Sequence, residues 1–225
     1  MMYRNPHCWE TKPTPNNRTP WSVAPEGGVV QGPLDLAFLA GTGMDLVLDE
    51  GQIALLSVRG ELSRCLWPGF HPLDVGGQNG LPIESMLYFL HLDRTLSVPW
   101  HQYIPIRPAT GFAPGPRLAS GVFEVLVTYP TLFYDAFLRD RDGSGEDICL
   151  DTLTHLLPTF LAIRMTTTTP TVDENGAGPD SLAERAAQLP RNCLDEDISP
   201  YGLRCVTWSI ANISEDEPAP VTPFA

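Results

Sequence analysis

The stretch from Leu46 to Leu73, LVLDEGQIALLSVRGELSRCLWPGFHPL, constrains the fold more than any other part of the chain. Turn-forming residues break it at short intervals, at Asp49-Glu50-Gly51, Arg59-Gly60-Glu61 and Pro68-Gly69. Between the breaks lie the apolar pair Val47-Leu48 and the runs Ile53 to Val58 and Leu62 to Trp67. Runs of about six β-compatible residues punctuated by turns have the length of strands. No nucleophile–base pair and no ligand cluster falls within them. The stretch reads as scaffold before it reads as chemistry.

Two textures follow. From about 44 to 128 apolar runs alternate with Gly, Pro and Asp, and the further strand candidates are Met86 to His91 and Leu118 to Thr128. In the latter, Val122, Glu124, Leu126 and Thr128 alternate with Phe123, Val125 and Val127, as in a sheet covered on one side. Gly121 marks a bulge or a close backbone approach there. From about 130 to 200 the pattern turns helical. Pro130 starts a helix with apolar residues at 133, 134, 137 and 138, and Ile148 to Met165 carries a longer stripe that Pro158 should kink or interrupt. Ser181 to Arg185 begins another short helix, capped by Asp180 or Ser181, and Leu194 to Ile198 extends or follows it. Leu203 to Ile210 is a returning strand. Strands, then helices, then one strand indicate α+β: a mixed or antiparallel sheet followed by helices and a C-terminal strand. Residues 1–33 read as an extended or disordered arm, 34–215 as one domain, and 216–225 as a proline-rich tail.

Charge narrows the function. Fourteen basic against 27 acidic residues give a formal net charge of −13, which repels phosphate backbones and anionic lipid. The expected partners therefore include no nucleic acid. Five cysteines show no C-x-x-C spacing, and the first twenty residues contain no apolar core of a secretion signal, so reduced thiols in the cytoplasm are expected. No apolar run is expected to reach the roughly 20 residues a membrane-spanning helix needs.

EGQIALLSVRGELSRCLWPGFHPL resembles the opening of SPFH domains, the band 7 superfamily of stomatins, prohibitins and flotillins. The resemblance rests on Gly51 and Ala54 in an "x-G-x-x-A-h-h" strand, then on Pro68, Gly69, His71 and Leu73 in an "h-x-P-G-x-H-x-h" closure. Two later segments agree. Gly121 to Phe133 is similar to the family's strand running into a "D-P-x-x-F" helix start, with Tyr129 where an Asp is common. Tyr201 to Ile210 is similar to its last strand, "x-G-h-x-h-x-x-h-x-I". MLYFLHLDRTLSVPWHQYIPI is similar to the soluble bacterial virion-core-like branch, where a strand ends in an aromatic–Trp turn before a further strand. The likeness covers residues 44 to 215. It implies a non-enzymatic scaffold or assembly protein that self-associates and binds a protein partner, with peripheral membrane contact left open. The chain shows neither the family's N-terminal membrane segment nor the heptads of its coiled coil.

The competing function is a calcium-binding regulatory module. Asp140 to Asp151 fits an EF-hand loop, with oxygen ligands at Asp140, Asp142 and Ser144, the turn at Gly145 and Asp151 at position 12. Asp147 stands where an apolar residue is usual, and the shorter arm of Asp151 reaches bidentate geometry less easily than Glu. The plainer reading is an acidic link between two helices, with Glu146 and Asp147 complementing a helix dipole. His91, Asp93 and His101 could meet across a hairpin around a metal, whereas His71 reads as a turn residue. Ser57, Ser63 and Ser85 lie in no G-x-S-x-G setting, so no catalytic residue, cofactor or resident metal is assigned. Trp67, Trp100 and Trp208 are expected in the core. Trp9 and Trp21, on the arm, either anchor it to a neighbour or pack within the chain.

Overall fold

A computed structural model describes residues 18–23, 27–76, 80–104, 117–139, 145–167 and 186–214. The chain is α+β and divides into two compact units, Met1–Thr95 with Leu126–Leu150, and Leu96–Val125 with Asp151–Ala225.

The first unit holds β1 (Arg18–Ser22), β2 (Val30–Asp35), β3 (Gly43–Leu48), β4 (Gln52–Val58), β5 (Glu61–Leu66), β6 (Gly69–Asp74) and β7 (Ser85–His91). One sheet has the order β1-β3-β6, with β1 parallel and β6 antiparallel to β3. The other is antiparallel in the order β2-β7-β4-β5. Consecutive strands switch between the sheets at the Asp49–Gly51 turn and again at Trp67-Pro68. The layers meet over one core, to which the first sheet gives Trp21, Met44, Leu46, Leu48 and Leu73, and the second Ala54, Leu56, Leu66, Leu87 and Phe89.

Strand burial follows from how many faces are covered. In β3, Met44, Leu46 and Leu48 are buried while Asp45 and Val47 point outward, the period-two pattern of a half-buried strand. In β4, Gln52 to Ser57 are all buried, as are Leu87 to His91 in β7. Their second face is covered by α1 (Pro130–Phe133), which continues as a wider turn over Tyr134–Leu138. Tyr134 packs edge-on against Tyr88 at 5.7 Å and donates its hydroxyl to the Gly60 carbonyl at 2.8 Å. That bond holds the β4–β5 hairpin, whose two turn residues, Arg59 and Gly60, both have positive φ (53° and 80°). Such a turn matches the twist of the strands it joins.

The second unit holds β8 (Leu96–Ile104), most of β9 (Arg117–Val127), most of α2 (Gly145–Thr167), α3 (Asp195–Ile198) and β10 (Leu203–Ser214). Its sheet has the order β10-β9-β8, and β8 pairs antiparallel with β9. One face is built from Val98, Trp100 and Ile104 beside Ala119, Phe123 and Val125, all buried. Gly121 makes the close approach expected of it, because a Cβ there would overlap the Ser209 carbonyl oxygen and lie 2.9 Å from Trp100 Nε1. Along α2 every fourth residue is buried, at Cys149, Leu153, Leu157, Leu161 and Met165. Arg164 joins α2 to α3 through Asp197 at 2.7 Å and Glu196 at 3.0 Å.

Several expectations need correction. Trp67 is 56% exposed and Trp208 half-buried; of the three tryptophans expected in the core, Trp100 alone is there. Trp100 lies mid-strand in β8, and the turn expected around it falls at Leu92–Arg94 instead. The run through Leu62 ends at Leu66, before Pro68, as expected, but Gly69 opens a further strand, β6, and His71 lies inside it rather than in a turn. Pro158 does not interrupt α2. By length and composition α2 meets the requirement for crossing a bilayer, contrary to the expectation that no run does, although 33% of its most apolar window is buried inside the protein. Within residues 1–33, Arg18–Ser22 and Val30–Asp35 are paired strands, and Trp21 packs into the core beside Phe38. Trp9 and Ser181 to Arg185 lie outside the described residues.

Candidate association surfaces

The acidic loop is described only from Gly145 onward; Asp140 to Ser144 lie outside the described residues. Gly145 to Asp151 form the first two turns of α2. The Glu146 carboxylate accepts the Val30 N–H at 3.4 Å, tying β2 to the start of the helix. Glu146 and Asp147 stand in the first turn, where negative charge complements the helix dipole. Among the described residues no group of three or more His, Cys, Asp or Glu is arranged to hold a metal ion, and His91, Asp93 and His101 form no such group.

His91 is buried at the end of β7, its Nε2 3.3 Å from the Gln31 side-chain amide. Burial pushes its imidazole below the ordinary value, with Arg94 adding to the effect and Asp93 opposing it. His91 is therefore a neutral core residue at pH 7. His71 sits at the sheet rim with Nε2 2.6 Å from the Trp67 carbonyl, which orients the Trp67-Pro68 link.

Cys65, Cys193 and Cys205 are poorly suited to nucleophilic work. Burial raises Cys65 and Cys193, and burial with the nearby Asp195 pushes Cys205 up to about 12. A thiol so shifted is protonated at pH 7, and the thiolate is the nucleophile. Ser57 and Ser85 are buried in strands, and the Ser85 hydroxyl is spent on the Pro82 carbonyl at 2.7 Å.

Several large apolar side chains face solvent instead. On the outer face of the β1-β3-β6 sheet, register pairs Val47 with Phe70, and they are 45% and 63% exposed. The next row on that face is Pro20, Asp45 and Pro72, and the last brings Arg18 beside Asp74. Arg18 binds Asp45 at 2.5 Å, contacts Asp74 and donates to the Met44 carbonyl at 3.1 Å. The face therefore grades from an apolar end through prolines to an ionic end. Trp67 stands exposed in the link just before β6. Exposed apolar side chains flanked by a polar region suit a protein-binding surface. Sequence reasoning passed over Val47 and Phe70 by grouping Val47 with Leu48 and placing Phe70 in a closing turn. The available signal was the alternation Leu46, Val47, Leu48, in which a buried-face reading of the leucines turns Val47 outward.

No protein-family model matches the chain, and no curated protein matches its sequence.

Proposed function

We propose that this protein is a non-enzymatic scaffold of the SPFH-like kind, cytoplasmic, acting by self-association and by holding a protein partner, with any membrane contact peripheral. The observation that carries the reading is the exposed Val47–Phe70 pair on a regular, well-paired sheet face. Exposing two large apolar side chains side by side gains nothing for folding, and a rigid apolar face is what association uses. The serial likeness of residues 44 to 215 to SPFH segments supports the same reading. So does the local use of candidate reactive groups: His91 is held neutral in the core, Ser85 is bonded to backbone, and Cys65, Cys193 and Cys205 are raised.

Sedimentation velocity of the intact chain, alone and with vesicles containing anionic lipid, tests the proposal. Association that grows with protein concentration is the expected result. A single chain at every concentration, with and without lipid, would sink it.

A further inference from the structure

Edge and interior strands of this protein differ in composition. Among the edge strands, β1 carries Pro20, β2 Pro33, β6 Pro72 and β8 Pro99, while β5 carries Glu61 and Arg64. The interior strands β3, β4, β7 and β9 contain no proline. The pattern has a physical cause. Proline lacks the N–H a ladder needs, and proline or charge on an open edge prevents a second strand from docking there.

β10 breaks the pattern. It is an edge by sheet order, with β9 on one side and no described strand on the other. It is also the longest described strand, LRCVTWSIANIS, with no proline and a single charge at Arg204. Val206, Thr207, Trp208, Ile210 and Ile213 give it a β-forming composition, as suits a paired strand. Its first residues are capped, because the Asp195 carboxylate on α3 accepts the Cys205 N–H at 2.9 Å. Beyond that cap Val206, Ser209, Ala211 and Ile213 are exposed.

The geometry points to a second copy of this chain as the occupant: β10 pairs antiparallel with β10 of the partner subunit, joining two three-stranded sheets into one. This rests on the self-association reading above and assigns the edge that performs it. The chain's own longer segments outside the described residues are composed against this role. Residues 1–17 contain Pro6, Pro13 and Pro15, residues 105–116 contain four prolines, residues 168–185 contain Pro170 and Pro179, and residues 215–225 contain Pro218, Pro220 and Pro223. Antiparallel self-pairing is two-fold symmetric, which is the commonest symmetry of homodimers. Centred on Ser209, which then faces its own copy, it sets Arg204 opposite Ser214 of the partner subunit, so the two arginines stand about 34 Å apart at the strand rise of ~3.4 Å per residue. A chain of net charge −13 meets its copy along a strand that carries no carboxylate.

The test is the double variant Ser209→Lys with Ala211→Lys, both exposed positions, studied as the full chain by light scattering and amide hydrogen exchange. Expected are a mass of twice the chain or more for the unaltered protein, with slow exchange across Val206 to Ile213. The variant should fall to a lower mass and exchange fast there, with an unchanged circular-dichroism spectrum. Ala211→Ser, which adds no charge, should behave as the unaltered protein. If the unaltered protein associates and the lysine variant associates equally, the edge assignment is overturned while the scaffold reading stands. If the unaltered protein is a single chain throughout, both are overturned.

Discussion

β4 and β3 are neighbours in sequence, and they teach opposite lessons about where apolar residues go. β4 is buried on both faces, so Ile53 and Leu55 are as covered as Ala54 and Leu56. β3 is buried on one face, and Val47 stays in solvent beside Phe70. The difference is the layer laid over the second face of β4–β7, with Phe133, Tyr134, Phe137 and Leu138 buried in and around α1. The β1-β3-β6 sheet has no counterpart described within its unit. Apolar residues on β4 therefore stabilise the fold, whereas Val47 and Phe70 on the outer face of β3 and β6 add little to it and stay open for the proposed association.

The largest effect that could break this comparison is Leu56→Ala. Leu56 is fully buried in the core between the sheets, so the deletion should cost about 2–5 kcal/mol in denaturant unfolding. Val47→Ser with Phe70→Ser should stay within roughly 0.5 kcal/mol of the unaltered protein, as exposed positions do. A cost comparable to that of Leu56→Ala would mean the outer face is part of the folding core. Gly121→Val comes next, at about 1–3 kcal/mol, because its side chain would collide with the Ser209 carbonyl. Equilibrium urea melts rank all three.

The sequence made β4 legible because a run buried on both faces needs no alternation, only length and flanking turns. The strands at Met86 to His91, Leu118 to Thr128 and Leu203 to Ile210 were readable for related reasons. β1 and β2 were not, because their pairing is long-range and their prolines, Pro20 and Pro33, imitate a loose arm. Those prolines are the composition of edge strands, and the edge is a fact of topology that no local window contains. Pro158 misled in the same way, since the fold supplies a buried setting through which α2 continues. The Val47–Phe70 pair was hidden because it exists only once β3 and β6 are in register.

Smaller effects sharpen the contrast between covered and open groups. His91 is held neutral in the fold, so below its ordinary value of about 6.5 the unfolded chain takes up a proton that the native state refuses. Stability should fall as pH drops through that value, by up to about 1.4 kcal/mol per pH unit for one proton. His91→Gln should flatten that slope between pH 7.5 and 5.5, and an unchanged slope would contradict the assignment. The least consequence is expected at the surface pair of Arg139 and Glu61, 2.7 Å apart. Glu61→Gln should move stability by about 0–1 kcal/mol and less in high salt.

One measurement bears most directly on the claim that the open surfaces serve association. It is the light-scattering mass of the intact, unaltered chain over a dilution series at moderate ionic strength. The account predicts a mass of at least twice the single chain at the concentrated end, falling on dilution. A mass equal to one chain across the whole series would contradict it.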